Sequence, residues 1–182
     1  MPKRPDPELE QRITTAAVRL LDERGLEAVT MRSVAAAAGT TTPTLYQRFD
    51  DRDALLRVMV DMLMDEIIAA VRPARSVEGM VKAFMMFCRR HPRRFDLMVD
   101  TFGTRLATAE PMPVFEMLQE LLTKEIGIRG REREDLALAI ASLAIGTVRG
   151  MTAAGSNPRR GTDLRRVALS ALRMLLTAFR KG

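Results

Sequence analysis

The chain has 182 residues, 47% of them apolar and 29% charged, which suits one domain or two small ones and excludes a disordered chain. Its net charge of +6 invites an acidic partner such as nucleic acid. The excess is uneven, however: residues 1–72 hold 10 basic and 12 acidic side chains, and residues 73–182 hold 19 and 11.

Ala, Leu, Met, Arg and Glu abound, Trp is absent, and no window alternates with period two. This predicts an all-α fold of about nine helices. The N-terminal MPKRPDPELEQRI has no apolar core of a signal peptide. The first helix spans 7–24, with Leu9, Ile13, Ala16, Ala17, Leu20 and Leu21 on one face, and Gly25 ends it. Thr30 caps a short second helix on which Met31, Val34, Ala35 and Ala38 share a face, and Gly39 breaks it. Thr41 caps a third helix, TPTLYQR, with Pro43 in its first turn and Leu45 and Phe49 pointing inward. So short a helix needs packing to persist. Asp50 or Asp51 caps a long fourth helix, with an apolar stripe from Leu55 to Ala70, that ends near Pro73.

Five more helices follow. Ser76 caps the fifth, the sixth follows Pro92, the seventh follows Pro111 and Pro113, the eighth covers 133–154, and Thr162 opens the ninth. The longest apolar run, LALAIASLAIGTV at 136–148, falls short of the roughly 18 residues of a membrane span. It therefore reads as a buried helix, with no membrane partner. The single cysteine, Cys88, cannot close an internal disulfide, which agrees with a cytoplasmic chain. The pattern divides the chain into residues 1–50 and residues 51–182.

The second and third helices, joined at Gly39, make a helix-turn-helix. The small Ala35 and Ala38 let the two helices cross closely. Threonines at the start of the third helix can meet phosphate oxygens and base edges. From Ala28 to Phe49 there is no acid, and Arg32 and Arg48 are the only charges. Spacing alone leaves a DNA-reading helix and a capped surface turn both open.

The stretch TMRSVAAAAGTTTPTLYQRFDDRDALL, 30–56, resembles the DNA-binding signature of the TetR family of bacterial transcriptional regulators. Thr30, Arg32, Val34, Ala35, Ala38, Gly39, Thr41, Thr44, Leu45, Tyr46, Phe49 and Leu55 stand where that pattern asks. The resemblance implies an N-terminal DNA-binding domain and a C-terminal ligand-binding and dimerisation domain. It implies phosphate contacts from Thr30, Tyr46 and Arg52, the last in place of a common lysine. Thr41, Thr42, Pro43, Thr44 and Gln47 would face the groove of double-stranded DNA, with Gln47 suited to adenine. Thr40, in place of a common valine, and Arg32 would stand beside them.

By the same resemblance, the last two helices form a homodimer. Ala137, Ala141, Ala144, Gly146 and Gly150 slim the eighth; Leu164, Ala168, Ala171, Leu172, Leu175 and Phe179 give the ninth an apolar face. A pocket for a small apolar or anionic effector is expected among Phe84, Phe87, Cys88, Phe95, Met98, Phe102, Met117, Leu121, Ala141 and Ala144. Met residues can repack around varied ligands. The arginines of CRRHPRR, 88–94, form either a phosphate or acyl-CoA site or a solvated helix end. With one His, one Cys, no Gly-rich phosphate loop and no metal-ligand cluster, neither catalysis, a metal nor a cofactor is expected. The expected function is a ligand-responsive repressor on a palindromic operator. The alternative is a helical ligand-binding or interaction protein whose helix-turn-helix is vestigial.

Overall fold

The computed structural model describes residues 7–107, 112–155 and 158–180. Among them are nine α-helices, one 3₁₀ turn and no strand. The helices are α1 (Pro7–Arg24), α2 (Met31–Ala37), α3 (Thr42–Tyr46), α4 (Arg52–Val71), α5 (Val77–Arg90), α6 (Pro92–Ala107), α7 (Pro113–Ile126), α8 (Gly130–Ala153) and α9 (Pro158–Arg180). The 3₁₀ turn, Leu26–Ala28, lies between α1 and α2 and was not foreseen.

The caps follow local chemistry. Thr30 Oγ1 accepts from Ser33 N at 3.1 Å, and Ser33 Oγ accepts from Thr30 N at 3.0 Å, a reciprocal capping box. Thr41, Asp51 and Ser76 cap α3, α4 and α5 in a one-sided way. Gly39 takes φ +66°, a left-handed turn that side chains resist. Two boundaries differ from expectation. α8 starts at Gly130 rather than 133, and α9 starts at Pro158, so Thr162 lies inside the helix instead of capping it. A proline at the first helical position has the φ a helix needs and no N–H to leave unpaired.

Two buried clusters form. The first gathers Ile13, Ala17 and Leu21 of α1, Val34 and Ala35 of α2, Leu45 of α3 and Phe49, with Leu55, Met59 and Leu63 of α4. The second joins Ile67 and Val71 of α4 to residues of α5–α9. α4 thus belongs to both. α8 is long and apolar enough to cross a membrane by length and composition alone. Here Leu136, Ala137, Ile140, Ala144 and Val148 are buried instead, and the helix packs on α5, α7 and α9.

α9 is tied to α5 by Arg173, whose Nε and Nη2 donate to the two oxygens of Glu78 at 2.7 and 2.9 Å. Lys82 Nζ stands 2.6 Å from the same carboxylate. Arg173 first, then Lys82, lowers the Glu78 pKa to about 2. A depressed carboxylate stabilises above its unfolded pKa and loses that contribution as pH falls through the folded one. The gap in melting temperature between the native chain and Glu78→Gln should therefore hold above pH about 4.5 and close as pH falls to about 2. A gap independent of pH across that window would exclude this ion pair as its source.

Candidate nucleic-acid interface and effector cavity

The helix-turn-helix is held from below by Leu45 and Phe49, 0% and 4% exposed. α3 has five residues, too few to persist unaided. Leu45 anchors it in the core it shares with α1, α2 and α4. With its inner side held, α3 turns the rest outward. Tyr46 is 54% exposed, and its hydroxyl has no partner among the described residues. Arg32, Thr30, Thr41, Pro43 and Gln47 are exposed; Thr40, Thr42, Thr44 and Arg48 are half-buried.

The threonine row is in part a capping device. Thr41 Oγ1 lies 2.8 Å from Thr44 Oγ1 and accepts from Thr44 N at 3.3 Å. Thr30 Oγ1 is engaged with Ser33. Arg52 has a job that spacing did not reveal. Its Nε donates to Val29 O at 2.7 Å and its Nη2 to Leu26 O at 2.9 Å. The guanidinium thus bolts the start of α4 to the 3₁₀ turn and the entry of α2. The phosphate role expected of it has at most the remaining N–H groups to work with.

Behind this unit lies an apolar cavity of about 90 Å³. α4 contributes Met64 and Ile67; α5 contributes Met80, Val81 and Phe84; α6 contributes Met98. Met112 and residues Val114, Phe115 and Leu118 of α7 form another wall, and Ile140, Ala141, Ala144 and Ile145 of α8 the last. Of the expected lining, Phe84, Met98, Ala141 and Ala144 are in place. Phe87, Cys88, Phe95, Met117 and Leu121 are not: they pack elsewhere in the same core. Phe87 lies against His91, ring centroids 4.9 Å apart. Cys88 is 1% exposed, and burial pushes its thiol up to about 12, so it stays neutral. The side chain of Phe102 lies outside the described residues. Among the described residues no lining side chain carries a charge, so an anionic effector finds no counter-ion among them, whereas an apolar one fits.

The arginine run has partners of its own. Arg93 Nη1 donates to the Asp22 carbonyl at 2.6 Å. Arg94 donates to both Asp22 carboxylate oxygens, with Nε at 2.9 and 3.0 Å, and its Nη1 bonds Glu66. Two of the four cations offered for a phosphate or acyl-CoA head group therefore serve protein carboxylates and a carbonyl.

The outer face of the last two helices also differs from expectation. On α9, Ala168 and Leu172 are buried in the chain's own core, and Leu175 and Phe179 pack against it. Leu164, which was expected on that face, does turn outward, and Val167 and Met174 join it in the outward apolar stripe, the three being 39%, 55% and 70% exposed. On α8, Ala137 and Ala144 are internal, while Gly146 faces out. At Gly150 a Cβ would meet Leu164 Cδ1 at 3.2 Å, which is how closely α8 and α9 approach.

Comparison with known proteins places this geometry. The sequence profile of the "Bacterial regulatory proteins, tetR family" matches residues 13–59, from α1 into α4. The HTH-type transcriptional repressor DrrR1 of Streptomyces coeruleorubidus is 34% identical over 89 residues, 44% of this chain. The chain spans 32% of the length of that curated relative. The fold is that of Mycobacterium smegmatis BioQ, with TM-score 0.70 and 20% identity over 93% of this chain and 98% of that one. BioQ solved with its double-stranded DNA operator gives TM-score 0.66 and 17% identity over 95% and 98%. A single-substitution variant of TetR from Acinetobacter baumannii AYE, solved in complex with minocycline, gives TM-score 0.68 and 17% identity over 94% and 96%. Profile and curated repressor agree on the N-terminal region, and the fold extends the likeness over the chain: residues 13–59 match the tetR family of bacterial regulatory proteins, and the chain shares the fold of BioQ and TetR.

Proposed function

We propose that the chain is a ligand-responsive transcriptional repressor, not an enzyme, acting in the cytoplasm. It binds a palindromic operator as a homodimer and leaves it when a small apolar effector enters the cavity. The observation that carries this reading is the exposed, acid-free surface of residues 28–49, with Tyr46 and Gln47 outward over a buried Leu45. The operator complex of BioQ and the minocycline complex of the TetR variant support it by analogy.

In this reading residues 1–50 form the DNA-binding domain and residues 51–182 the ligand-binding and dimerisation domain. α4 is the shaft common to both cores. Two copies pair through α8 and α9, with Leu164, Val167 and Met174 at the seam. Their α3 helices then enter successive major grooves roughly 34–36 Å apart. Tyr46 and Thr30 hold phosphates, Arg32 adds a cation, and Gln47 with Thr40–Thr44 reads base edges. Effector and operator favour different separations of the two α3 helices, so each weakens the other reciprocally.

Fluorescence anisotropy on the duplex that the native chain enriches from a randomised pool tests the assignment. Tyr46→Phe should weaken binding to all duplexes alike, by about 0.5–1.5 kcal/mol per protomer, with an unchanged salt slope because no cation is lost. Gln47→Ala should flatten the preference at one base pair per half-site, by about 1–3 kcal/mol. A Gln47→Ala chain with unaltered sequence preference would remove Gln47 from base readout. A native chain that binds no duplex at low salt would favour the alternative, a ligand-binding protein with a vestigial helix-turn-helix.

A further inference from the structure

α6 reaches into both cores. Leu97, 4% exposed, is packed in the N-terminal cluster. Its neighbour Met98 lines the cavity, and Phe95 lies in the C-terminal cluster. One turn before Met98 stands Arg94, its side chain 15% exposed. This single guanidinium engages Asp22, in the last turns of α1, and Glu66 of α4. Glu66 lies between Met64 and Ile67, which line the cavity. Arg93 adds its bond to the Asp22 carbonyl at 2.6 Å.

An isolated surface ion pair contributes little. Here one cation, its own side chain 15% exposed, serves two carboxylates that are 33% and 40% exposed, through charge-assisted bonds that include a fork to Asp22. Without the cation, two acids would be left with no partner between them. Asp22 raises the Arg94 pKa further, so the charge is permanent. The three helices joined at this point are the carrier of the DNA-reading unit (α1) and two walls of the cavity (α4 and α6). A group that pushes Met98 away from Met64 and Ile67 must move Arg94 relative to Glu66, and the fork passes that motion to Asp22.

We infer that the Arg94–Asp22–Glu66 network is the latch that sets the angle of the DNA-reading unit and reports the state of the cavity to it. Arg94 is a positioning residue in this role; it touches neither DNA nor effector. The inference rests on the effector-responsive reading above. A merely structural tie would alter stability without altering the coupling between cavity and DNA.

A tethered ring replaces the unidentified effector in the test. Ala141→Phe places a benzyl group in the cavity, and anisotropy follows binding to the pool-selected duplex. Four chains are compared: native, Ala141→Phe, Arg94→Met and the double variant. In the native background the ring should weaken binding about tenfold, a typical coupling. In the Arg94→Met background it should weaken binding less than about twofold. Equal losses in both backgrounds would overturn the latch and leave the effector reading standing. A ring without effect in the native background would overturn both. Asp22→Asn with Glu66→Gln keeps the guanidinium and the side-chain shapes, and should abolish the coupling in the same way. A double acid variant that keeps the full tenfold response would overturn the latch even if Arg94→Met fails to fold.

Discussion

A chain carrying Val167→Glu and Met174→Glu should sediment as a monomer and bind its operator about a hundredfold or more weakly than the native chain. The two side chains are 55% and 70% exposed, seven residues apart on α9. That spacing puts them on one seam of a helix that pairs side by side with another. A two-fold interface presents the same patch from both copies. Two substitutions therefore place four carboxylates where two apolar stripes met. The chain's own core is spared, because Ala168, Leu169, Leu172 and Leu176 point the other way and stay buried. A monomer reads one half-site and forfeits the effective concentration that links the second, a factor of about 10²–10⁴. Sedimentation equilibrium and anisotropy on the same preparation check the two halves of the prediction. A double variant that stays dimeric and binds unchanged would put the interface on another face.

The elements that sequence reveals are those whose cause is local. Thr30, Thr41, Asp51 and Ser76 each accept from a backbone N–H three residues on, and a window of four residues contains the whole interaction. Thr162 failed as a cap because Pro158 was the earlier competent start, and a hydroxyl alone does not outrank it. Periodicity located the apolar faces but could not apportion them. α9 is apolar on two sides, and nothing in its spacing says that Leu172 belongs to its own core while Met174 faces out. The cavity was legible only in part, since an empty space is defined by several chain segments at once. Met64 and Ile67 sat beside or on a stripe already read as core, and only the approach of α6 and α7 turns them into lining. The arginines were the hardest. Arg94 finds partners 72 and 28 residues away, and a run of like charges gives no sign of where its carboxylates lie.

Arg52 sharpens the same point into an experiment. Its position in the motif implies a phosphate contact, for which a lysine would serve as well. The structure gives its fork two carbonyls to bridge, Val29 O at 2.7 Å and Leu26 O at 2.9 Å. An ammonium on a shorter reach is a point charge and cannot span both in that planar geometry. Arg52→Lys therefore separates the two roles. It keeps the cation but strips at least one charge-assisted bond, worth about 1.5–3 kcal/mol, from a partly buried site. The carbonyls of the 3₁₀ turn and of Val29 would then have less to accept from at the edge of the core that holds Met31, Val34 and Leu55. The loss should be local, because Arg52 binds the first core and makes no bond to the second. Hydrogen exchange should show the α2 and α3 amides opening more easily by about 2 kcal/mol, with α5, α7 and α8 unaffected. Operator affinity should fall with that opening while the salt slope stays as in the native chain, since the charge count is unchanged. If Arg52→Lys instead protects α2 and α3 as well as the native residue does, the two carbonyl bonds are dispensable and the phosphate role stands alone.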